Sequence, residues 1–425
     1  MSETNLGGGL TETLAKEGNT VYVARHSNGV DVIDVTNPIA PVKLTTIDPD
    51  GPGNATVDVW DVQVLNDVLY VFNKGSAIDP NPDKGNWTGV YMYDVSNPAT
   101  PIEVGAIVWG KHPWHHLGAW TQSGAVGLIA GVPHLFVCSS ISTEVEVFDV
   151  SNPAVAVWKS TVFRPAWKAS QETVYQDGKL YTAWGTEGFT IDDISTPDTP
   201  VRLGHQPYTG PSVVNGGLRT LCPTPDGQHV VTGEYTTQGD VRLWDVRNPG
   251  AITQVASWRL GTGALLWSVK ASNDYAYVAH LEDGIRILDI RTRTGLTPAG
   301  SFDPDPAAPV RTWAGIADIV LDGMMMYASH ETRGLFNVLH DPNLPPPDSV
   351  TVTTASYKNS KRELTVYATS TQQPTPTLTV AGFGPMTWVR RNNRYELVVR
   401  ANSAPATVTV NSSAGGSRTA TVSIR

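Results

Sequence analysis

The stretch that decides the fold is Val21-Tyr-Val-Ala-Arg-His-Ser-Asn-Gly-Val-Asp-Val-Ile-Asp-Val-Thr-Asn-Pro-Ile-Ala-Pro41. An apolar strand runs into a polar turn and out into a second strand, whose alternation with period two marks a half-buried antiparallel strand. The stretch closes on Asp and Asn-Pro, which make a side-chain-capped turn, and a second proline opens the next short strand.

The unit recurs. Strands equivalent to residues 20–24 lie at 69–72, 135–138, 180–183, 229–232, 276–279 and 326–329. The alternating strand follows as Val90-Tyr-Met-Tyr-Asp-Val, Val145-Glu-Val-Phe-Asp-Val, Phe189-Thr-Ile-Asp-Asp-Ile, Val241-Arg-Leu-Trp-Asp-Val and Ile285-Arg-Ile-Leu-Asp-Ile, with a degenerate seventh copy at Leu335-Phe-Asn-Val-Leu. Asn-Pro punctuation repeats at Pro38, Pro98, Pro153 and Pro249. Four antiparallel strands per unit, at spacings of about 40 to 55 residues, predict an all-β chain with a seven-bladed β-propeller over residues 1–342. The strand motif resembles that of the LVIVD-repeat propellers, a likeness that implies this architecture and, for many family members, a surface or secreted location without an assigned chemistry.

The last repeat lacks its outer strand, because His-Asp-Pro-Asn-Leu-Pro-Pro-Pro follows Leu339. Residues 2–6 are expected to supply it, which removes the exposed edges of an open array. Pro345-Pro-Pro347 marks a stiff linker over 343–348. Beyond it, Ser/Thr-rich strands recur roughly every 12 residues over 349–425, the pattern of a small Greek-key sandwich. This tail resembles the Ig-like modules at the C-terminus of bacterial extracellular proteins, which implies a spacer or an attachment to the surface.

Composition narrows the function. Charged residues are 16% of the 425, against 39 Gly and 31 Pro, the balance of a turn-rich all-β protein. The net charge of -10 comes without a Lys/Arg run, so nucleic acid and anionic membrane are excluded as partners. No apolar run reaches the roughly 18 residues of a membrane span, and a basic segment followed by an apolar stretch is missing at the start. Either the protein is not exported by that route or the chain is a mature form; the C-terminal domain favours the second, an extracellular or cell-surface protein without membrane insertion. Cys138 and Cys222 lie in repeats that are not neighbours and read as free buried thiols.

Candidate chemistry sits where the polar turns and the inter-repeat connections share one face. The residue near the start of each polar turn is Arg25, Asn73, Ser140, Trp184, Tyr235, His280 or His330, a ring that is not uniform. If the protein is an enzyme, His280 or His330 abstracts a proton, Tyr235 donates one and Arg25 neutralises a substrate carboxylate, as in a polysaccharide lyase or hydrolase. The plain alternative for each histidine is a satisfied turn residue. The connections add Trp114, His115, His116, Arg311 and Trp313, which with Trp60 and Trp184 form an aromatic and polar surface suited to a sugar. Loop packing is the plain alternative there. Trp60, Asp61, Glu172, Arg219, Trp267 and Asp318 fall on inner strands and are expected to line the channel.

No cofactor is expected. Asp79, Asn81 and Asp83 alternate like part of a calcium loop but lack its sixth-place glycine and terminal Glu. Zinc at the histidines is opposed by Arg25 in the matching position. No nucleophile elbow, Walker loop or His-Glu-x-x-His motif is present. The sequence thus reads first as a secreted or surface-displayed module that binds a glycan or protein, second as a polysaccharide lyase or hydrolase, and third as a self-associating scaffold of an extracellular assembly.

Overall fold

The computed structural model describes every residue except 1, 8–9, 50–57, 75–87, 109–120, 140–143, 164–169, 211–216, 237–238, 307–313, 341–348 and 414–416. The chain divides into two units, Met1–Asp341 and Pro342–Arg425. Among the described residues no helix is long and apolar enough to cross a membrane.

The first unit is an array of four-stranded antiparallel sheets, consistent with a β-propeller. In chain order the sheets span 14–47, 59–108, 121–163, 172–206, 218–259, 268–302 and 316–339, called sheets 1 to 7 below. Each begins with an inner strand: Leu14–Glu17, Val59–Leu65, Thr121–Ile129, Glu172–Gln176, Leu218–Pro223, Ser268–Ala271 and Ile316–Asp322. The middle two strands carry the quoted motif, and alternation buries both of their faces because each sheet is packed between neighbours. Val21, Val23, Val30, Val32 and Ile33 are all fully buried.

Packing runs from sheet to sheet. Val30, Val32 and Tyr22 of sheet 1 meet Val62, Leu69 and Tyr91 of sheet 2, and every later pair of consecutive sheets shares such a cluster. Sheet 7 returns to sheet 1, since Tyr327 and Leu335 pack with Leu14, Val21 and Ile33. Burying each such side chain contributes roughly 1.5–3 kcal/mol.

The outer turns obey the sequence. Asp34 Oδ1 accepts the Thr36 N–H at 2.7 Å and Asn37 Oδ1 accepts the Ile39 N–H at 3.3 Å. Asp94, Asp149, Asp193, Asp245 and Asp289 repeat the first of these bonds.

Sheet 7 takes its fourth strand from the N-terminus: Ser2–Asn5 pairs antiparallel with Gly334–Leu339, from Ser2 opposite Asn337 to Asn5 opposite Gly334. Arg333 grips Glu3 at 2.5 Å and Asp305 at 2.8 Å. From sheet 1, Arg25 Nη1 donates to the Leu6 carbonyl at 2.6 Å.

In the second unit a five-stranded and a four-stranded sheet share one apolar core, with Leu364, Val366, Leu378, Val380, Tyr395 and Val410 at its centre. The strand Glu363–Ser370 alternates strictly, burying Leu364, Val366, Ala368 and Ser370 and turning its Thr and Tyr residues outward.

Candidate functional site

The inner strands share an irregularity that builds the site. Where each begins, two residues oppose one on the second strand. The register slips between Val59 and Asp61, between Thr121 and Ser123, between Leu218 and Thr220, and between Ile316 and Asp318. In sheets 1, 4 and 6 the same pairing is made by Glu12 and Thr13 on Ala24, by Gln171 and Glu172 on Ala183, and by Trp267 and Ser268 on Ala279. Such bulges re-aim side chains at sheet edges. Here they give every sheet an upper residue and, just below it, a lower one.

The lower residues are all polar: Thr13, Asp61, Ser123, Glu172, Thr220, Ser268 and Asp318. Each bonds to the following sheet. The Val62 N–H donates to Thr13 Oγ1 (3.2 Å), the Gly124 N–H to Asp61 Oδ2 (3.0 Å), and Ser123 Oγ to the Gln171 carbonyl (3.0 Å). The Leu221 N–H donates to Glu172 (3.1 Å), the Val269 N–H to Thr220 (3.1 Å), and Ser268 Oγ to Asp318 Oδ1 (2.6 Å). The Leu14 N–H then donates to Asp318 Oδ2 at 3.3 Å, returning to sheet 1. The physical reason is the free edge of each inner strand, whose buried backbone groups need partners. Lys270 lies against this belt, 3.2 Å from Asp318 and 3.6 Å from Glu172.

A cavity of about 350 Å³ runs along the inner strands, lined at one end by Glu12, Trp60, Arg219 and Trp267 and continuing past the belt to Lys16, Gln63 and Val320. Its mouth has two unlike walls. On the side of sheets 1 and 2, His26 bonds Asp58 through Nδ1 (2.8 Å) and faces Glu12 through Nε2 (3.3 Å). Trp60 lies edge-on to the His26 ring, and Lys74 Nζ sits 3.7 Å over the Trp60 ring. On the side of sheets 5 to 7, the Arg219 guanidinium covers Trp267 at 3.5 Å. Tyr235 meets Trp267 edge to face, and Leu265, Leu281 and Ala317 complete an apolar ledge. Glu12 joins the walls by accepting the Trp267 indole N–H at 2.8 Å.

Burial works to lower the His26 pKa, but hydrogen bonds to Asp58 and Glu12 outweigh it and push the imidazole up to about 9. It is a cation at neutral pH. Burial, with the nearby Glu12 charge, pushes Glu331 up to about 8. Burial pushes Asp61 in the belt up to about 7, aided by the Asp318 charge and resisted by the Gly124 and Thr13 hydrogen bonds. Glu172 is raised by burial, and Lys270 is raised because Asp318 and Glu172 more than offset its burial.

The residues expected to act together do not meet. Arg25 is buried, with Nη1 on Asp31 Oδ2 at 2.7 Å and on the Leu6 carbonyl, so it ties the N-terminal strand to sheet 1. His280 is 0% exposed between sheets 5 and 6, edge-on to Trp258, and among the described residues neither ring nitrogen has a hydrogen-bond partner. Burial, with the nearby Arg286 charge, pushes it down to about 3, so it is a neutral packing residue. His330 is buried beside Phe336 with Asp305 at 3.3 Å. Trp184, expected to face a ligand, is 0% exposed and donates its indole N–H to Thr190. Only Tyr235 of the expected catalytic set reaches the mouth, because it lies one residue beyond the repeat position, which in sheet 5 is held by Glu234 opposite Leu218.

Trp60, Asp61, Glu172, Arg219, Trp267 and Asp318 do line the cavity. Trp114, His115, His116, Arg311 and Trp313 lie outside the described residues, as do Asp79, Asn81 and Asp83. Among the described residues no cluster of three or more His, Cys, Asp or Glu is arranged to hold a metal. Cys138 and Cys222 are free thiols.

Sequence reasoning missed Glu12, His26, Asp58, Lys74, Lys270 and Glu331. One signal was present: a polar residue recurs at the same place near the start of each inner strand.

The LVIVD repeat model matches three segments, residues 8–48, 86–108 and 266–303, which fall on sheets 1, 2 and 6. No curated protein matches the chain. Among solved structures, the chain is similar to the computationally designed Ika8 protein (crystal packing No.1 in P63), at 10% identity and a TM-score of 0.51 over 99% of this chain and 100% of that one. At that identity the likeness concerns fold alone. The chain is thus similar to LVIVD-repeat proteins in sequence and, in fold, to a designed protein of the same overall extent.

Proposed function

We propose that the chain is a secreted or surface-displayed binding module, a closed seven-bladed β-propeller followed by an Ig-like β-sandwich, and that it takes a glycan at the mouth of the axial cavity. The observation that carries this reading is the pair of unlike walls. Trp267 and Tyr235, backed by the buried Leu265 and Leu281, offer aromatic area to one face of a sugar ring, while Glu12, His26, Asp58 and Lys74 offer donors and acceptors to its hydroxyls. Basic groups (His26, Lys74, Arg219) stand beside acidic ones (Glu12, Asp58), a balance that suits a neutral, hydroxyl-rich ligand.

Glycan-array binding followed by titration tests the reading. Trp267→Ala and Glu12→Gln are each expected to weaken binding about tenfold or more, the loss of roughly 1.4 kcal/mol. Unchanged affinity in both variants removes the mouth as the site, and capture of a protein but no glycan redirects the reading to a protein partner.

The hydrolase alternative rests on Glu331, which burial and the nearby Glu12 charge push up to about 8, the range of a general acid beside a second carboxyl group. Release of reducing ends from a polysaccharide panel, abolished by Glu331→Gln, would establish it. The lyase version loses its base, since His280 and His330 are buried away from the mouth and His26 is held as a cation.

A further inference from the structure

The belt below the mouth has a feature that structural bonding alone does not require. Each of its seven positions needs only a hydroxyl to bond the next sheet, and four of them use one: Thr13, Ser123, Thr220 and Ser268. The other three are carboxylates, Asp61, Glu172 and Asp318. Among the described residues one ammonium, that of Lys270, lies against them, and it is placed on Asp318 and Glu172. Asp61 is left as the third carboxylate, 4% exposed, with neutral donors for its bonds: the Thr13 hydroxyl at 2.8 Å, its neighbour Val62 N–H at 2.8 Å, the Gly124 N–H at 3.0 Å and Gln63 Nε2 at 3.4 Å.

Thr13 can reverse its bond. Its hydroxyl lies 2.8 Å from Asp61 Oδ1 and 3.3 Å from the Trp60 carbonyl, so it has two acceptors for one proton. With Asp61 ionised, Thr13 donates to the carboxylate. With Asp61 protonated, the carboxyl donates to Thr13 Oγ1 and Thr13 donates to the Trp60 carbonyl. The first arrangement takes the Thr13 donor away from the Trp60 carbonyl, and the second supplies a proton to both contacts.

We propose that Asp61 and Thr13 form a proton-operated clasp between sheets 1, 2 and 3, in which Asp61 takes up or releases one proton to water and Thr13 switches its donor bond between Asp61 and the Trp60 carbonyl. The charged and titratable groups that face Asp61 favour this. Asp318 from sheet 7 opposes its ionisation and Lys270 from sheet 6 assists it, with Asp318 the stronger of the two. The Cys138 thiol of sheet 3, which also feels Asp61 and Glu172, is pushed up to about 12 by burial and stays neutral. Trp60 lines the cavity mouth, so the clasp links the protonation of the belt to the backbone that carries one wall of the site.

The direction of the pH effect follows from a folded-state value raised above the unfolded one. The stabilisation is whole below the unfolded carboxyl range and is lost as pH rises through about 7. The full chain, labelled with carbon-13 at aspartate carboxyls, is titrated by NMR, and the melting temperature is followed from about pH 5 to about pH 8. One aspartate resonance is expected to titrate near neutrality and to vanish in Asp61→Asn, whose melting temperature falls less over this range than that of the wild type. Glu331→Gln serves as the control, because that carboxyl also titrates above its usual range and must leave the Asp61 resonance unmoved. Thr13→Val, which removes the donor to the ionised form, is expected to move the midpoint upward. The proposal is overturned if no aspartate of the wild type titrates near neutrality, or if Thr13→Val leaves the midpoint where it was. The first of these needs no variant to fold.

Discussion

Two rings of side chains run around the first unit, one at the polar turns and one where the inner strands begin, and they have opposite fates. Both offer one position per sheet, and both vary from sheet to sheet. The turn ring of Arg25, Trp184, His280 and His330 is buried between sheets, whereas Glu12, Trp60, Arg219 and Trp267 face the cavity. The difference comes from the residue after each turn position. His26 bridges to Val59, Gly185 to Leu218 and Leu281 to Ile316, each on the next sheet's inner strand. That bridge closes over the preceding side chain and traps it in the gap between sheets. On the inner strand the bulge turns an extra residue toward the axis, with no further strand to cover it. Variety along a repeat position therefore marks a functional face only where packing leaves the position open.

Substitutions in the two rings should break apart accordingly. Arg25→Ala removes one of the two cations on buried Asp31, which keeps Lys43 Nζ at 2.6 Å and Thr46 Oγ1 at 2.8 Å, and frees the Leu6 carbonyl, so a loss of about 1–3 kcal/mol is expected in denaturant unfolding. A loss below about 1 kcal/mol would mean that the turn ring is not structural. Removing residues 2–6 acts on the same seam and is expected to lower the melting temperature by several degrees; an unchanged value would show that sheet 7 holds without its borrowed strand.

In the axial ring, the expected effect is on charge rather than on folding. Glu12→Gln removes one of the two carboxylates that raise His26, so the imidazole should titrate clearly below about 9, as read from its ring proton shifts. Stability as a function of pH sharpens the same contrast. Asp61, Glu331 and His26, raised to about 7, 8 and 9, each stabilise the fold fully below their unfolded values and lose that contribution as pH rises through the folded ones. The melting temperature should accordingly decline between about pH 5 and about pH 9, whereas a steady rise would contradict all three assignments.

The smallest effect belongs to the residue that sequence reasoning singled out as a base. Among the described residues His280 makes no hydrogen bond through either nitrogen, so His280→Leu exchanges a polar ring for an apolar side chain of similar reach. A change within about 1 kcal/mol, of either sign, is expected in thermal and denaturant unfolding. Loss of ligand binding in that variant at full stability would return the turn ring to function.

Much of the architecture was legible because its causes are local. Alternation in Val30-Asp-Val-Ile-Asp-Val sets the strand, Asp34 and Asn37 cap the turn by reaching two residues along their own backbone, and the missing outer strand after Leu339 points to the N-terminus. The inner-strand set of Trp60, Asp61, Glu172, Arg219, Trp267 and Asp318 was also readable, since a polar residue recurs at the same place near the start of each inner strand. His26 was hidden, because its place in the mouth depends on a bridge to Val59, 33 positions away, and its charge on Glu12 and Asp58.

By itself the sequence determined the repeat, the all-β class, the capped turns and the division before the second unit, all of which rest on periodicity and backbone chemistry within a few residues. Only the tertiary structure decided which of two variable rings is exposed, that Glu12 joins the walls of the mouth, and that three carboxylates share one lysine in the belt. The physical reason is that burial and charge pairing are properties of neighbours across sheets: Thr13 and Asp61 meet only when sheets 1 and 2 pack, and Leu14 and Asp318 only when the first and last sheets come together.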